Sequence, residues 1–88
     1  MPWVIKRTDT FLKHLKELKN HHELIHALDA KIQRLNVDPE AVGGMLSGTL
    51  HGKRSTRLVA SYRLIFQVDQ PNSIVYLVAV DHRSVVYK

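Results

Sequence analysis

Four side chains toward the end of the chain are of the types that phosphate chemistry uses: Arg63, His82, Arg83 and Tyr87. An arginine fork grips phosphate oxygens in two directions, and a histidine exchanges protons near neutral pH. A tyrosine can stack on a base or orient a phosphate. Three more cations, Lys53, Arg54 and Arg57, precede them. Their types suit tracking a nucleic-acid backbone, and a solvated basic loop is the plainer alternative.

These side chains need a rigid support, and the hydrophobic pattern supplies one. Residues 62–69 alternate: Tyr62, Leu64, Phe66 and Val68 fall on one face, and Arg63, Ile65, Gln67 and Asp69 on the other. Gln70-Pro-Asn-Ser73 is a turn, and Ile74–Val80 is apolar on both faces, as in a central strand. Arg57–Ala60 reads as the strand before, joined to Tyr62 by a tight hairpin around Ser61.

Upstream, Trp3–Lys6 is short and β-prone, with Trp3 expected in the core. Thr8, Asp9 or Thr10 can cap a helix carrying Phe11, Leu12, Leu15 and Leu18 at helical spacing. A second helix begins near His22, with Leu24, Ile25, Leu28, Ile32 and Leu35 as its apolar stripe. Residues 37–52 read as a loop punctuated by Pro39 and four glycines, pinned to the core by Leu46 and Leu50. The fold class is therefore α+β, in the order β-α-α-β-β-β. A helical hairpin packs on one face of a small, mainly antiparallel sheet.

Eighty-eight residues suffice for one domain, spanning 1–88, with a single core. The chain has no cysteine, which excludes disulfides, a thiolate nucleophile and a cysteine-based zinc site. No apolar run approaches the ~20 residues of a membrane helix, and the N-terminus lacks a signal-peptide stretch. The expectation is a cytoplasmic protein with no membrane partner. The formal charge of +5 is uneven. Residues 1–48 hold seven Lys/Arg against six Asp/Glu, whereas residues 49–88 hold six against two. The positive excess sits on the expected sheet, which suggests a polyanionic partner, nucleic acid first.

His22-Glu23-Leu24-Ile25-His26 is formally the H-E-x-x-H pattern of zinc proteases. The apolar stripe through Leu24, Leu28 and Ile32 faces the core, which turns His22 and His26 toward water. Only loose candidates, Glu40 and His51, exist for a third ligand. Two exposed helix histidines are the expected outcome, with no metal and no cofactor.

Leu50-x-Gly52, Arg57, Ser61-Tyr-Arg-Leu-Ile-Phe-x-Val68 and Val80-Asp-His-Arg-x-Val-Val-Tyr87 resemble the RelE/ParE superfamily, the toxins of type II toxin–antitoxin pairs. The resemblance covers most of the chain, because the element order agrees too. RelE-like members of that superfamily cut mRNA in the ribosomal A site without metal. ParE-like members poison DNA gyrase and have lost the cleavage residues. Retention of Arg63, His82, Arg83 and Tyr87 favours the RelE-like branch. The chain departs from RelE in the strand before Arg63, where two lysines are expected. Arg57 takes one place and Ser55 the other, with Lys53 and Arg54 nearby. The proton acceptor is thus left open.

The resemblance implies an endoribonuclease. The RNA 2′-OH attacks its own phosphate and leaves a 2′,3′-cyclic phosphate or a 3′-phosphate. Arg63 would hold the scissile phosphate, Arg83 would stabilise charge or donate a proton, and His82 would act as acid or base. Implied partners are a cognate antitoxin, mRNA on the ribosome, and operator DNA only through the antitoxin. A ParE-like gyrase inhibitor and a non-enzymatic RNA-binding module are the alternatives. Since the basic set contains no ligand cluster, RNA cleavage on programmed ribosomes is expected to persist in excess chelator. Loss of cleavage that zinc restores and His22→Ala abolishes would reinstate the H-E-x-x-H reading.

Overall fold

The structure is a computed structural model and describes residues 3–45 and 53–82. Its elements are β1 (Val4–Arg7), α1 (Asp9–Glu17), α2 (His22–Val37), a 3-10 turn (Pro39–Ala41), β2 (Gly44–Met45), β3 (Arg54–Arg57), β4 (Tyr62–Asp69) and β5 (Ile74–His82). The strands form one sheet in the order β1-β5-β4-β3-β2. β2, β3, β4 and β5 pair antiparallel in sequence order, and β1 joins the far side of β5 in parallel. A parallel neighbour requires a long connection, and here the chain passes through both helices and β2, β3 and β4 between β1 and β5.

Each helix start is fixed by a side chain. Thr8 Oγ1 accepts from the Phe11 N–H and donates to the Leu77 carbonyl at 2.8 Å, so one hydroxyl both caps α1 and ties it to β5. His21 caps α2 in an unusual way, its Nδ1 accepting from the Leu24 N–H at 3.3 Å. Leu24, Leu28 and Leu35 on α2 and Phe11 on α1 are buried against Leu64, Phe66, Val75, Leu77 and Val80 of the sheet. Each such side chain contributes about 1.5–3 kcal/mol of burial. Both helices thus cover one sheet face. Among the described residues, the other face carries a small apolar cluster of Ile65, Ala79 and Val78.

β1 covers β5 only as far as Leu77. Beyond it, among the described residues, the edge of β5 is met by Thr8 and His14 and not by another strand. Thr8 reaches the Leu77 carbonyl, and His14 Nδ1 accepts from the Val80 N–H at 3.2 Å. An open strand edge is a template for unwanted pairing, and α1 blunts it here.

Several boundaries depart from the sequence reading. The strand expected at Arg57–Ala60 lies earlier, at Arg54–Arg57, and residues 58–61 form the hairpin loop. Leu58 N–H donates to the Tyr62 carbonyl, and Ala60 takes a left-handed φ of 53°. Alanine is not a residue that marks such a turn, so local sequence placed it at Ser61 instead. The expected loop 37–52 contains the 3-10 turn and β2, and Leu46 and Leu50 lie outside the described residues. Leu12 is 45% exposed, because α1 is short and turns only Phe11 fully inward. Trp3 is half-buried and packs against the core, and β5 continues two residues past Val80. Among the described residues no helix is long and apolar enough to cross a membrane.

One backbone position is unusually constrained. Gly43 has φ +66°, and a Cβ there would lie 1.9 Å from the Ser55 carbonyl oxygen, whereas a Cβ on Gly44 meets nothing. Gly43→Ala is expected to cost at least ~2 kcal/mol, which lowers the melting midpoint by roughly 8 °C or more. Gly44→Ala should stay within ~0.5 kcal/mol of wild type. Melting curves of the two variants check this, and equal midpoints would refute it.

Candidate functional site

The strand registers build the site. Arg57 pairs with Arg63 across β3 and β4, and Arg63 pairs with Asp81 across β4 and β5. Directly opposed residues point to the same face, with Cβ atoms about 5 Å apart. Arg57, Arg63 and Asp81 therefore form one row across three strands. Leu64 and Val80, the next residues of β4 and the preceding residue of β5, are buried under the helices. Alternation puts the row on the opposite, helix-free face.

A β-bulge decides which β5 residue joins that row. Ile65 pairs with Ala79 but Phe66 pairs with Leu77, so Val78 is an extra residue in β5. Without it, strict alternation from Val75 and Leu77 would carry Ala79 and Asp81 to the helix side and aim His82 beside Arg63. With it, Leu77 and Val80 are both core residues, Asp81 stands opposite Arg63, and His82 stands opposite Tyr62. Bulges re-aim side chains in this way next to functional sites.

The arginine pair is electrostatically unfavourable by itself. Like charges placed directly across two strands destabilise a sheet, by roughly 0.2–1 kcal/mol. Asp81 offsets part of this from the other side. Ser55, buried at the sheet surface, offers its Oγ to Arg63 Nε at a long 3.4 Å. Beside the pair lies a polar cavity of about 140 Å³ lined by Arg57, Ala60, Ser61, Tyr62 and Arg63. Two guanidinium groups beside a polar hollow suit an anion with several oxygens, such as a phosphodiester.

The remaining expected site residues divide. Arg54 lies opposite Phe66 on the helix-bearing face, and its guanidinium donates to the Glu40 carbonyl at 2.9 Å. That bond braces the loop after α2 and separates Arg54 from Arg57. Lys53 is half-buried just before β3. His82 meets the edge of the Tyr62 ring at 5.5 Å between centroids, and Tyr62 meets His21 at 5.8 Å. His82 is thus held in a ladder of three rings at the end of the sheet, on the other side from Arg63. Arg83 and Tyr87 lie outside the described residues.

His22 and His26 are exposed on α2. Among the described residues no three His, Cys, Asp or Glu side chains gather where a metal ion could be held. Sequence reasoning missed Asp81, His14 and the ring contacts of Tyr62. Asp81 stood beside His82 in plain view, but its pairing with Arg63 depends on the bulge, which has no local sequence mark.

Comparison with known proteins agrees with this architecture. Residues 5–87 match the family model described as the ParE toxin of the type II toxin–antitoxin system parDE. The chain is 30% identical over 88 residues to Toxin RelG of Mycobacterium tuberculosis, covering 100% of this chain and 99% of that protein. Among solved structures, the toxin–antitoxin complex RelBE2 of Mycobacterium tuberculosis aligns with a TM-score of 0.78 and 29% identity, over 94% of this chain and 100% of the other. The free, mutated RelE toxin of E. coli aligns with a TM-score of 0.74 at 23% identity, over 97% and 87%, a likeness of fold. With the helical hairpin packed on the sheet and the match running through nearly the whole chain, this protein belongs to the ParE toxin family of type II toxin–antitoxin systems, within the RelE/ParE superfamily.

Proposed function

We propose that this toxin is a metal-independent endoribonuclease that cleaves mRNA in the ribosomal A site and so stops translation. The observation that carries the reading is the opposed Arg57–Arg63 pair beside a polar cavity, an arrangement that costs stability until an anion enters it. The similarity to Toxin RelG supports the same branch.

Arg63 grips the scissile phosphate and stabilises the charge that builds on it as the 2′-oxygen attacks. It stands on a β-strand between two paired neighbours, and such a mounting holds a guanidinium more rigidly than a loop does. Arg57 gives the same phosphate, or the next one, a second fork. His82 serves as proton donor or acceptor, with its ring set by Tyr62. Arg83 and Tyr87 complete the set, by charge stabilisation and by stacking or phosphate orientation. Lys53 flanks the RNA path, and Arg54 contributes by bracing the loop after α2. No cofactor is required.

The match to the ParE family model favours one rival reading, a gyrase inhibitor without nuclease chemistry. Single-turnover cleavage of mRNA on programmed ribosomes separates the two. Arg63→Ala is expected to fold with a stability change within ~0.5 kcal/mol. It should slow cleavage roughly a hundredfold to a thousandfold, about 3–4 kcal/mol at the transition state. Arg63→Lys should recover only part of the rate, because it keeps the charge but loses the fork. Cleavage by Arg63→Ala within a few-fold of wild type would remove Arg63 from the active site. A wild-type protein that arrests gyrase and never cuts RNA would establish the rival.

The protein's partner is a cognate antitoxin, an acidic and largely disordered segment that wraps the basic face. The solved RelBE2 complex supports this by likeness. Operator DNA is reached only through that antitoxin, and both proteins act in the cytoplasm. Co-expression with the neighbouring small open reading frame should relieve growth arrest and yield a co-purifying complex with a raised melting temperature. No complex and no relief would count against the pairing.

A further inference from the structure

The nuclease reading needs a base for the 2′-OH. We infer that Asp81 is that proton acceptor, an inference that rests on the nuclease reading. Among the described residues, the groups around Arg63 on the helix-free face are Arg57, Ser55, Ser61 and Asp81. Arginine does not give up its proton in proteins, and an unassisted serine hydroxyl is no base. Asp69, the other carboxylate of β4, is six residues along the strand from Arg63, roughly 20 Å away. Asp81 is the remaining acceptor, directly opposite Arg63 and 35% exposed on its side chain.

Its second neighbour leaves the carboxylate available. His14 Nδ1 lies 4.0 Å from Asp81 Oδ1, but that nitrogen accepts the Val80 N–H. A nitrogen whose lone pair is so used cannot also donate to a carboxylate. Asp81 is therefore flanked by His14 without being hydrogen-bonded to it, and by Arg63 across the strand.

The chemistry balances with residues already named. The Asp81 carboxylate takes the proton of the 2′-OH as the 2′-oxygen bonds to phosphorus. The bond from phosphorus to the 5′-oxygen breaks, and that oxygen takes a proton from His82 or from water. Attack and departure lie in line on opposite sides of phosphorus. Asp81 and His82 are consecutive and emerge on opposite faces at the end of β5.

Single-turnover cleavage on programmed ribosomes, with melting curves and an RNA-binding measurement, tests the assignment. Asp81→Asn keeps the shape and removes the acceptor. It should slow cleavage a hundredfold to ten-thousandfold. RNA binding should be equal or tighter, because a negative charge beside Arg63 is gone. The ascending acid limb of the wild-type pH–rate profile should vanish in Asp81→Asn, and Asp81→Glu should restore part of the rate together with that limb. Cleavage by Asp81→Asn within a few-fold of wild type would overturn the inference and leave Asp81 a counter-charge to Arg63, with the nuclease reading intact. A wild-type profile without an acid limb would overturn it too, whatever the variants' folding. A wild type that cuts no RNA would sink the nuclease reading and this inference together.

Discussion

The backbone of β5 sets the terms for the rest of the molecule. A central strand shielded from water must pair its N–H and C=O groups along its length or lose the full desolvation penalty of each. β4 satisfies one side from Ile74 to His82. The other side is divided, with β1 pairing Ile74–Leu77 and α1 supplying Thr8 and His14 beyond. That division positions the helical layer. α1 starts where β1 ends, and α2 runs back so that its end lies beside the start of β1. Trp3 and Asn36 close this circuit, the Trp3 N–H donating to the Asn36 carbonyl and the Asn36 side-chain amide donating to the Trp3 carbonyl.

The same strand sets the charge pattern of the site. One extra residue, Val78, exchanges the faces of everything after it in β5. A carboxylate then completes a row with two arginines, and a histidine moves to the ring ladder with Tyr62 and His21. The row combines an unfavourable like-charge pair with an opposite charge on one flank. A phosphate held between the two guanidinium groups would lower that like-charge cost. The left-handed Ala60 at the rim of the cavity adds a second, backbone cost at the same spot. Strain and like charge collected at one end of a stable sheet are characteristic of a surface kept for a ligand.

Membership in a toxin family fits this economy of parts. Helices, apolar face and strand pairing provide a rigid platform, while one end of the helix-free face carries the opposed Arg57–Arg63 pair. Branches of one superfamily that differ in target can share the platform, because the chemistry resides in a few side chains at the ends of β3, β4 and β5. In this chain those side chains include Arg57 opposite Arg63, Ser55 within reach of Arg63, and a carboxylate opposite Arg63 on the other flank.

Periodicity and local turn chemistry made much of the fold legible. The limits of β4, the apolar stripe of α2, the Thr8 cap and the helix-free side of Arg63 all follow from spacings of two or 3.6 residues and from capping preferences, which are properties of neighbouring residues. The uneven charge likewise marked the sheet as the cationic part. Three things could be settled only in three dimensions. The hairpin turn fell at Ala60 because tertiary pairing of β3 with β4 overrode alanine's reluctance for positive φ. Arg54 left the basic set because the register turned it under the sheet toward Glu40. Asp81, and not His82, came to stand opposite Arg63 because a bulge reversed the alternation of β5. A bulge is chosen by how two strands and a core fit together, and no residue within the strand announces it.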